Sequence, residues 1–124
     1  MPELPEVETC RRALEPVLVG QKIGRYAHST KRLREQAQSI QMAELAGLTI
    51  TALERRSKYL IIRAQQEVVL VHLGMTGQLF VSGETTPWLD HEHWRLELDS
   101  GWLRYRDPRR FGMLIRCSQD QLEE

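Results

Sequence analysis

The chain has 124 residues, with 17 Lys and Arg against 17 Asp and Glu, and so a formal net charge of zero. This length suits one domain that buries its own core, and a content of 41% hydrophobic and 27% charged residues is ordinary for a soluble globular protein. Because the sequence shows neither an apolar run of membrane-spanning length nor a signal peptide, it predicts a cytoplasmic protein without a membrane partner.

The first eight residues contain a candidate nucleophile. If an aminopeptidase removes Met1, Pro2 presents a free secondary amine, with Glu3 next to it and Glu6 one helical turn beyond. An amine beside carboxylates can attack an electrophilic carbon, form an iminium and then run proton-transfer chemistry. The alternative is that Pro5 and the glutamates only start a helix, since proline suits the first helical position and acids suit the first turn.

Residues 5–18 are predicted to form an amphipathic helix. Apolar side chains recur at the i, i+3, i+4, i+7 spacing, Gly20 is the expected C-terminal stop, and Pro16 is expected to kink or shorten the last turn. The helix would fix the N-terminal amine to a rigid element. Its buried face is predicted to comprise Val7, Cys10, Leu14, Val17 and Leu18.

Short elements follow the helix. Residues 22–29 are a possible strand and residues 30–35 a polar, basic loop. Residues 39–46 are predicted to form a short helix that ends at Gly47. The pattern then alternates loosely over residues 48–53, which indicates the first strand of a β region.

The β region continues with two strongly apolar strands. Residues 59–63 and 68–73 are rich in β-branched residues, which indicates buried strands, and Gln65 and Gln66 lie between them as a turn. Residues 78–81 are predicted to form another short strand.

A β-hairpin is predicted over residues 94–106, with a two-residue turn at Ser100 and Gly101. In its first strand apolar residues alternate with Arg95, Glu97 and Asp99. This alternation predicts one face in the core and one face in solvent.

About eight short strands with closely spaced turn signals predict a mainly β fold. The expected architecture is an antiparallel two-sheet β-sandwich with the N-terminal helix and the short second helix at its flanks. Residues 112–117 would form the final strand. The domain is predicted to span residues 1–118, and residues 119–124 to be a frayed acidic tail.

Basic residues are concentrated in three stretches although the net charge is zero. Local patches of this kind steer polyanions even in a neutral protein. The alternative is three separate solvated surfaces. The stretches contain Lys31, Arg32 and Arg34; Arg55, Arg56 and Lys58; and Arg104, Arg106, Arg109 and Arg110.

Three loop-like stretches could carry chemistry. Lys58 begins a buried strand and would hold its ammonium at a fixed place, or it is simply a solvated strand end. His72 and Met75 lie beside two glycines that permit close backbone approach to a ligand, but both could also be core residues. Phe111 lies between arginines and a glycine, as a wedge between stacked bases requires, whereas an isolated Phe is more often a core residue.

The sequence does not predict a metal site. His91 and His93 flank Glu92, but no convincing third and fourth ligands accompany them, and phosphate contact or surface placement fits them better. Cys10 and Cys117 are too few for a four-cysteine zinc site, and without an export signal a disulfide is disfavoured. We predict that both are small buried hydrophobic residues.

Four stretches together resemble the N-terminal domain of bacterial formamidopyrimidine-DNA glycosylase. Each motif is weak alone, but the four occur in the family's order and spacing, and the resemblance covers essentially the whole chain. Leu4 is similar to this branch, since the related endonuclease VIII branch usually begins Pro-Glu-Gly-Pro. The stretches are Pro2-Glu3-Leu4-Pro5-Glu6-Val7-Glu8, Lys58-Tyr59-Leu60, His72-Leu73-Gly74-Met75-Thr76-Gly77 and Asp107-Pro108-Arg109-Arg110-Phe111-Gly112.

The resemblance implies a reaction on DNA. In the family the freed N-terminal proline attacks the sugar carbon C1′ of a damaged purine nucleotide, typically 8-oxoguanine or a ring-opened formamidopyrimidine. The base leaves, a covalent imine forms, and elimination cuts the strand on both sides of the abasic sugar. Carried onto this chain, Pro2 is the nucleophile, Glu3 the proton donor and acceptor, and Glu6 supports the site.

The resemblance also implies DNA contacts. Lys58 would grip a phosphate beside the lesion and assist the later steps, with His72 and His91 as further phosphate contacts. The gap left by the flipped nucleotide would be filled by three side chains: Phe111 as the wedge, Arg109 toward the orphaned cytosine, and Met75.

The implied partner is damaged double-stranded DNA, and the implied state is a monomer. Family members continue for roughly another chain of this length, with a helix–two-turn–helix domain and a four-cysteine zinc finger, and nothing in the present sequence corresponds to either. No cofactor is expected in this chain, because the family's structural zinc would lie in that missing part. The alternatives to an active glycosylase and abasic-site lyase are a noncatalytic damaged-DNA-binding module and a structural fragment that needs a partner half.

Overall fold

The computed structural model describes residues 4–83 and 87–122 of the chain. None of the helices in these two ranges is long and apolar enough to cross a membrane. The elements found there are α1 (Leu4–Leu18), β1 (Tyr26–His28), β2 (Glu35–Gln36), α2 (Ser39–Ala43), β3 (Ile50–Arg56), β4 (Tyr59–Ala64), β5 (Glu67–His72), β6 (Gln78–Ser82), β7 (Glu92–Leu98), β8 (Gly101–Arg106), β9 (Met113–Ser118) and α3 (Gln119–Leu122).

The strands form two sheets. One has four strands in the order β1-β7-β8-β6, and the other has five in the order β2-β9-β5-β4-β3. The predicted mainly β, two-sheet fold with an N-terminal helix and a short second helix is confirmed. The described residues contain nine strands instead of about eight, and the pair of β2 and β9 is parallel where all pairs are predicted to be antiparallel. The extra strand, β2, has two residues, too few to produce a period-2 pattern in the sequence.

The inner faces of the two sheets share one hydrophobic core. The Trp94 ring on β7 stacks on the Tyr105 ring on β8, with 5.7 Å between the ring centres, and neither residue is exposed. The opposite sheet contributes β-branched and leucine side chains, as the sequence predicts for β4 and β5. They include Leu60, Ile62, Val69 and Val71.

Helix α1 packs against β3, β4 and β6. It buries Val7, Leu14 and Leu18, and it stops before Gly20, which has a φ of +95° that glycine adopts easily. The predicted burial of Val17 is wrong, because this residue is 42% exposed. Val17 lies about 60° around the helix from Leu14, at the edge of the apolar stripe.

The solvent exposure predicted for one face of β7 is wrong for Arg95, whereas Asp99 is exposed as predicted. Arg95 and Arg104 point away from the core, yet both are buried, because residues 87–91 return across this face of the sheet. The Trp88 ring centre lies 4.1 Å from the guanidinium carbon of Arg95, and the carbonyl oxygen of Pro87 accepts a hydrogen bond from Arg104. Both arginines pair with the buried carboxylate of Glu92, at 3.0 and 2.6 Å.

Several element boundaries differ from the prediction: α2 ends at Ala43 instead of residue 46, and β3 spans Ile50–Arg56 instead of residues 48–53. The hairpin turn lies one residue earlier, since Gly101 already pairs with Leu98. The strand predicted over residues 22–29 is shorter, Tyr26–His28. Within the tail predicted from residue 119, Gln119–Leu122 form a helical turn. There the Gln121 N–H donates to the Ser118 hydroxyl, and this cap gives the turn a defined start.

The two cysteines are free thiols and only half-buried, so the prediction that both are buried is wrong. Cys10 lies toward the edge of the packed face of α1, and Cys117 lies on β9. Burial raises the pKa of both thiols, which disfavours the reactive thiolate.

Candidate functional site

Most candidate residues lie at one end of the sandwich. At this end of the five-stranded sheet, neighbouring strands are paired through Arg56 and Tyr59, Tyr59 and His72, and His72 and Met113. Three connections project from it, namely the turn at residues 57–58 and the two crossings between the sheets at residues 73–77 and 107–112. We call these three connections the loop end.

Helix α1 is tied to the loop end through an ion pair. The Arg55 guanidinium donates to the Glu8 carboxylate and to the carbonyl oxygen of Ser57, both at 3.1 Å. The first turns of α1 are therefore held beside the turn that carries Lys58. Since β3 ends at Arg56, this contact joins the helix to the sheet.

Of the candidate catalytic residues, Glu6 lies at the start of α1 and Lys58 in the turn between β3 and β4. Glu6 is exposed on the first turn of the helix. Pro2 and Glu3 directly precede α1 in the sequence and lie outside the described residues. Their part in the site therefore stays a prediction.

Glu8 accepts hydrogen bonds from three arginines. Arg11 and Arg12 lie one turn along α1, at 2.7 and 2.9 Å, and Arg55 lies on β3. These partners lower the pKa of Glu8 to about 2, with the bond to Arg11 as the largest cause and the bond to Arg55 next. The Glu8 carboxylate is accordingly charged at neutral pH, and through Arg55 it holds α1 against β3.

His72 is a buried histidine with a defined tautomer. Its Nδ1 accepts a hydrogen bond of 2.9 Å from the Gly74 N–H, which leaves the proton of the neutral ring on Nε2. The ring meets Tyr59 edge to face, with 4.9 Å between ring centres. Burial lowers the pKa of His72, and the charges of Arg34 and Lys58 lower it further. His72 is therefore a neutral donor at neutral pH, close to two cations.

The buried carboxylate of Asp107 organises both crossings between the sheets. Asp107 is 0% exposed. It accepts hydrogen bonds from the Thr76 hydroxyl at 2.8 Å, the Tyr105 hydroxyl at 3.0 Å, and the N–H groups of Arg109 at 3.2 Å and Gly112 at 2.8 Å. Burial and the neighbouring Asp107 charge raise the pKa of Tyr105, so its phenol remains a donor.

Two glycines allow the crossings to touch. A Cβ placed on Gly74 would lie 2.6 Å from the backbone nitrogen of Gly112, and one on Gly112 would lie 2.6 Å from the carbonyl oxygen of His72. Such distances are too short for any side chain, so both positions require glycine. The backbone contact places Met75 and Phe111 on neighbouring loops.

Met75 and Phe111 are exposed at 41% and 42%. Neither residue fills the core, so the core alternative weighed from the sequence is wrong for both. The Arg109 guanidinium carbon lies 5.2 Å from the centre of the Phe111 ring. Two apolar side chains and one cation therefore project from crossings that Asp107 holds together.

The three basic stretches converge on the loop end and do not form three separate surfaces. The Arg34 N–H donates to the carbonyl oxygen of Arg110 at 3.2 Å, which joins the first stretch to the third. The charges of Arg34 and Lys58 both act on His72, which places the first and second stretches beside it. Exposed cations at or beside the loop end include Lys31, Arg34, Arg56, Arg109 and Arg110.

His91 and His93 differ in environment. His91 is exposed, with a φ of +65°, and its carbonyl oxygen accepts the Asp107 N–H at 2.8 Å. His93 is buried, and its two ring nitrogens contact the carbonyl oxygens of Lys31 and Asp107. His93 is thus unavailable to a metal. In residues 4–83 and 87–122 no group of three or more His, Cys, Asp or Glu side chains could hold a metal ion.

A groove of about 670 Å³ runs between α1 and β6. Glu6 lines it on the helix side, and Leu73 and Gly77 line it where the first crossing begins. Its remaining lining is largely apolar and includes Leu14, Val17, Leu79 and Phe80.

Sequence reasoning missed the residues that support the site. Asp107 lies inside a motif singled out from the sequence, but its role depends on Thr76, 31 positions earlier. Arg34 and Glu8 are likewise joined to the site by Arg110 and Arg55, which lie on other elements. The only local signal was Asp before Pro with a glycine five residues on, which indicates a turn.

Comparison of the sequence with known proteins identifies relatives of this chain. The family described as formamidopyrimidine-DNA glycosylase N-terminal domain matches residues 1–114. The formamidopyrimidine-DNA glycosylase of Stutzerimonas stutzeri (strain A1501) is 49% identical over 116 residues, which are 93% of this chain and 43% of that protein.

Solved structures give the same result. The Lactococcus lactis formamidopyrimidine-DNA glycosylase bound non-covalently to DNA containing an abasic site has a TM-score of 0.89 and 36% identity, over 98% of this chain and 47% of that one. The Lactococcus lactis protein in complex with DNA containing N7-benzyl-Fapy-dG has a TM-score of 0.90 and 37% identity, over 98% of this chain and 46% of that one. The chain thus spans about half the length of the curated relatives it matches, 43% for the Stutzerimonas protein.

Proposed function

Because the chain belongs to the formamidopyrimidine-DNA glycosylase family, we propose that it is the N-terminal catalytic part of a DNA glycosylase that acts in base-excision repair. Its substrates in this proposal are oxidised purines, 8-oxoguanine and formamidopyrimidines, in double-stranded DNA. The chain acts as a monomer, and this part of the protein uses no metal or other cofactor.

One observation carries the proposal. Two exposed apolar side chains, Met75 and Phe111, project from adjoining loops at the end of the sandwich where the cations converge and where α1 begins. An enzyme that acts on a stacked base must extrude it, at a cost of a few kcal/mol. Apolar wedges and phosphate contacts at one place are suited to offset that cost.

The reaction in this proposal begins at the N-terminal amine. After removal of Met1, the Pro2 nitrogen attacks C1′ of the damaged nucleotide and the bond from C1′ to the base breaks. Glu3 delivers the proton that opens the sugar ring and accepts protons in the later steps, and Glu6 supports it. The resulting imine activates the sugar for elimination of the flanking phosphates, which makes the protein a glycosylase and an abasic-site lyase.

The remaining residues bind DNA in this proposal. Lys58 and the Nε2–H of His72 contact phosphates beside the lesion, and His91 contacts a further phosphate. Phe111 wedges between bases, Met75 fills the vacated space, and Arg109 faces the cytosine opposite the lesion. The ring contact between Arg109 and Phe111 supports a joint role for these two side chains.

A second candidate function is that of a noncatalytic damaged-DNA-binding module. It is favoured by the exposed Met75 and Phe111 beside the converging cations, because these side chains can bind DNA without any reaction at the N-terminal amine. The two functions differ in one respect. Only the enzyme forms a covalent imine with DNA.

Borohydride trapping separates the two. The chain is incubated with duplex DNA containing an abasic site or 8-oxoguanine, reduced, and digested, and mass spectrometry locates the adduct. We expect the adduct on the N-terminal peptide, a marked loss of it in Pro2→Gly, and no such adduct in a variant extended before Pro2, whose nitrogen then stays in a peptide bond.

The matched control is Pro16→Ala, which changes an exposed proline in α1 and leaves the N-terminal amine intact. An adduct that forms equally well in the extended chain, on a lysine, would overturn the assignment of Pro2. DNA binding without any adduct would support the noncatalytic module. Intact mass measurement first establishes that Met1 has been removed.

A further inference from the structure

Arg106 occupies a distinctive position at the loop end. It is the last residue of β8, where it faces Gln78 of β6 on one side and Glu92 of β7 on the other. Asp107 follows it directly and begins the second crossing. Arg106 is half-buried, whereas Arg104, two residues earlier on the same face of the strand, is buried.

The Nε atom of Arg106 is buried and has no hydrogen-bond partner among residues 4–83 and 87–122. No ion pair joins Arg106 to an acid in the described parts of the chain, although Glu92 is its neighbour in register. A buried donor without a partner is unfavourable and requires an explanation in a native fold. Because Nε is closed to solvent, an incoming partner would meet the terminal nitrogens of this half-buried side chain.

Glu92 cannot accept a hydrogen bond from Arg106, because other donors already occupy the acceptor sites of its carboxylate. Arg95 and Arg104 each donate twice to Glu92, and the Leu89 N–H donates to it at 3.0 Å. A carboxylate offers about four acceptor sites. The cluster of Arg95, Arg104 and Arg106 around this single acid therefore keeps an uncompensated positive charge, and Arg106 is the member nearest the loop end.

We propose that Arg106 binds a backbone phosphate of DNA, a role that rests on the proposed function and extends it to a residue outside the resembling motifs. Its planar guanidinium matches phosphate oxygens in a two-pronged contact. His91 lies at the same corner, since its carbonyl oxygen bonds the N–H of Asp107. Arg106 belongs to the four-stranded sheet and Lys58 and His72 to the five-stranded sheet, so the two sets of contacts flank the projecting Met75 and Phe111.

The test is the salt dependence of DNA binding by the chain and its Arg106→Gln variant, with abasic-site duplex and undamaged duplex as probes. Loss of one phosphate contact lowers the slope of log K against log salt concentration by about 0.9. We expect this change with both duplexes, together with roughly tenfold weaker binding at low salt.

The matched control is Arg25→Gln. Arg25 is an exposed arginine on the same side of the four-stranded sheet, at its opposite end, and it pairs with Glu97 at 3.1 Å. This variant removes the same charge and should leave the slope unchanged. An Arg106→Gln slope equal to that of the wild type, or equal losses in both variants, would overturn the assignment of Arg106.

Folding and the proposed function are tested separately. Because Arg106 has no hydrogen-bonded or ion-paired partner in the described part of the chain, Arg106→Gln should leave the urea midpoint unchanged, and a lowered midpoint would instead indicate a structural role. If the wild type binds both duplexes equally, damage recognition fails, while the slope still decides the role of Arg106. If the wild type binds neither duplex, both the proposed function and the phosphate contact are refuted.

Discussion

The Thr76 hydroxyl donates a hydrogen bond of 2.8 Å to the buried carboxylate of Asp107. Thr76 belongs to the crossing from β5 to β6, and Asp107 begins the crossing from β8 to β9. This bond joins the loop that carries Met75 to the loop that carries Phe111. The distance between the two projecting side chains therefore depends on a contact that neither of them makes.

Thr76→Val tests this coupling. The substitution keeps the shape of the side chain but removes one donor from Asp107, so we expect a loss of about 1 kcal/mol in unfolding free energy. Binding to abasic-site DNA should weaken as well, because the spacing of Met75 and Phe111 is no longer fixed. The matched control is Thr51→Val, which removes an exposed bond to Arg63 far from the loop end. Equal DNA affinity for Thr76→Val and the wild type would refute the coupling.

Met75→Ala and Phe111→Ala should weaken binding to abasic-site DNA without unfolding the protein. Both side chains are exposed, so each truncation is expected to change stability by no more than about 0.5 kcal/mol. Loss of the Phe111 ring, which stacks on bases in the proposal, should cost about 1–3 kcal/mol of binding, and loss of the Met75 side chain should weaken binding as well. Ile40→Ala is the control, since Ile40 is 68% exposed on α2. Urea unfolding and fluorescence anisotropy measure the two effects, and a stability loss of the size seen for core residues would contradict the wedge role.

Glu8 should make stability depend on pH in acid. Its pKa of about 2 in the folded chain lies below the ordinary value of a glutamate, so the unfolded chain binds more protons between those two values. The stabilisation from Glu8 is therefore complete above about pH 4.3 and is lost as the pH falls toward 2.

Glu8→Gln should accordingly flatten the decline of the urea midpoint between these pH values. Glu15→Gln is the control, since Glu15 is an exposed residue of α1 with one ion pair to Arg11. An identical acid profile for Glu8→Gln and the wild type would show that the three arginines do not stabilise the folded chain through Glu8.

Glu92→Gln should be strongly destabilising. The substitution leaves Arg95 and Arg104 buried without a counter-charge, which typically costs about 3–5 kcal/mol. The comparison is Glu97→Gln on the same strand, where the partner Arg25 is exposed and the pair contributes about 0–1 kcal/mol. Urea unfolding of both variants measures the difference. Similar losses of unfolding free energy in the two variants would show that burial does not increase the contribution of the Glu92 ion pairs to stability.

The sequence predicts well what local periodicity encodes. The apolar spacing of residues 5–18 and the β-branched runs around Gln65 and Gln66 define α1, β4 and β5 almost to the residue. The exposure of Arg95 could not be predicted, because it depends on residues 87–91 crossing back over the sheet. Alternation gives the side of the sheet on which a residue lies, but not what covers that side.

In the candidate site, too, the sequence predicts local features but not contacts between distant residues. The sequence motifs predicted Met75, Arg109 and Phe111 as site residues, and the structure shows that all three side chains are exposed. It could not identify Asp107 as their common support, since the Thr76 contact joins residues 31 positions apart. The convergence of three basic stretches likewise follows from sheet topology, which a summed charge of zero conceals.

The place of β9 in the five-stranded sheet has a consequence for biosynthesis. β9 is the last strand in chain order, yet it lies inside the sheet, between β2 and β5. While residues 113–118 are still unmade, the nascent chain carries β5, with Val68, Val69 and Val71, as an open hydrophobic edge. The second crossing has no anchored end at that stage. The ribosome must therefore release β9 before the second crossing is held at both ends, and an open strand edge of this kind is prone to aggregation until then.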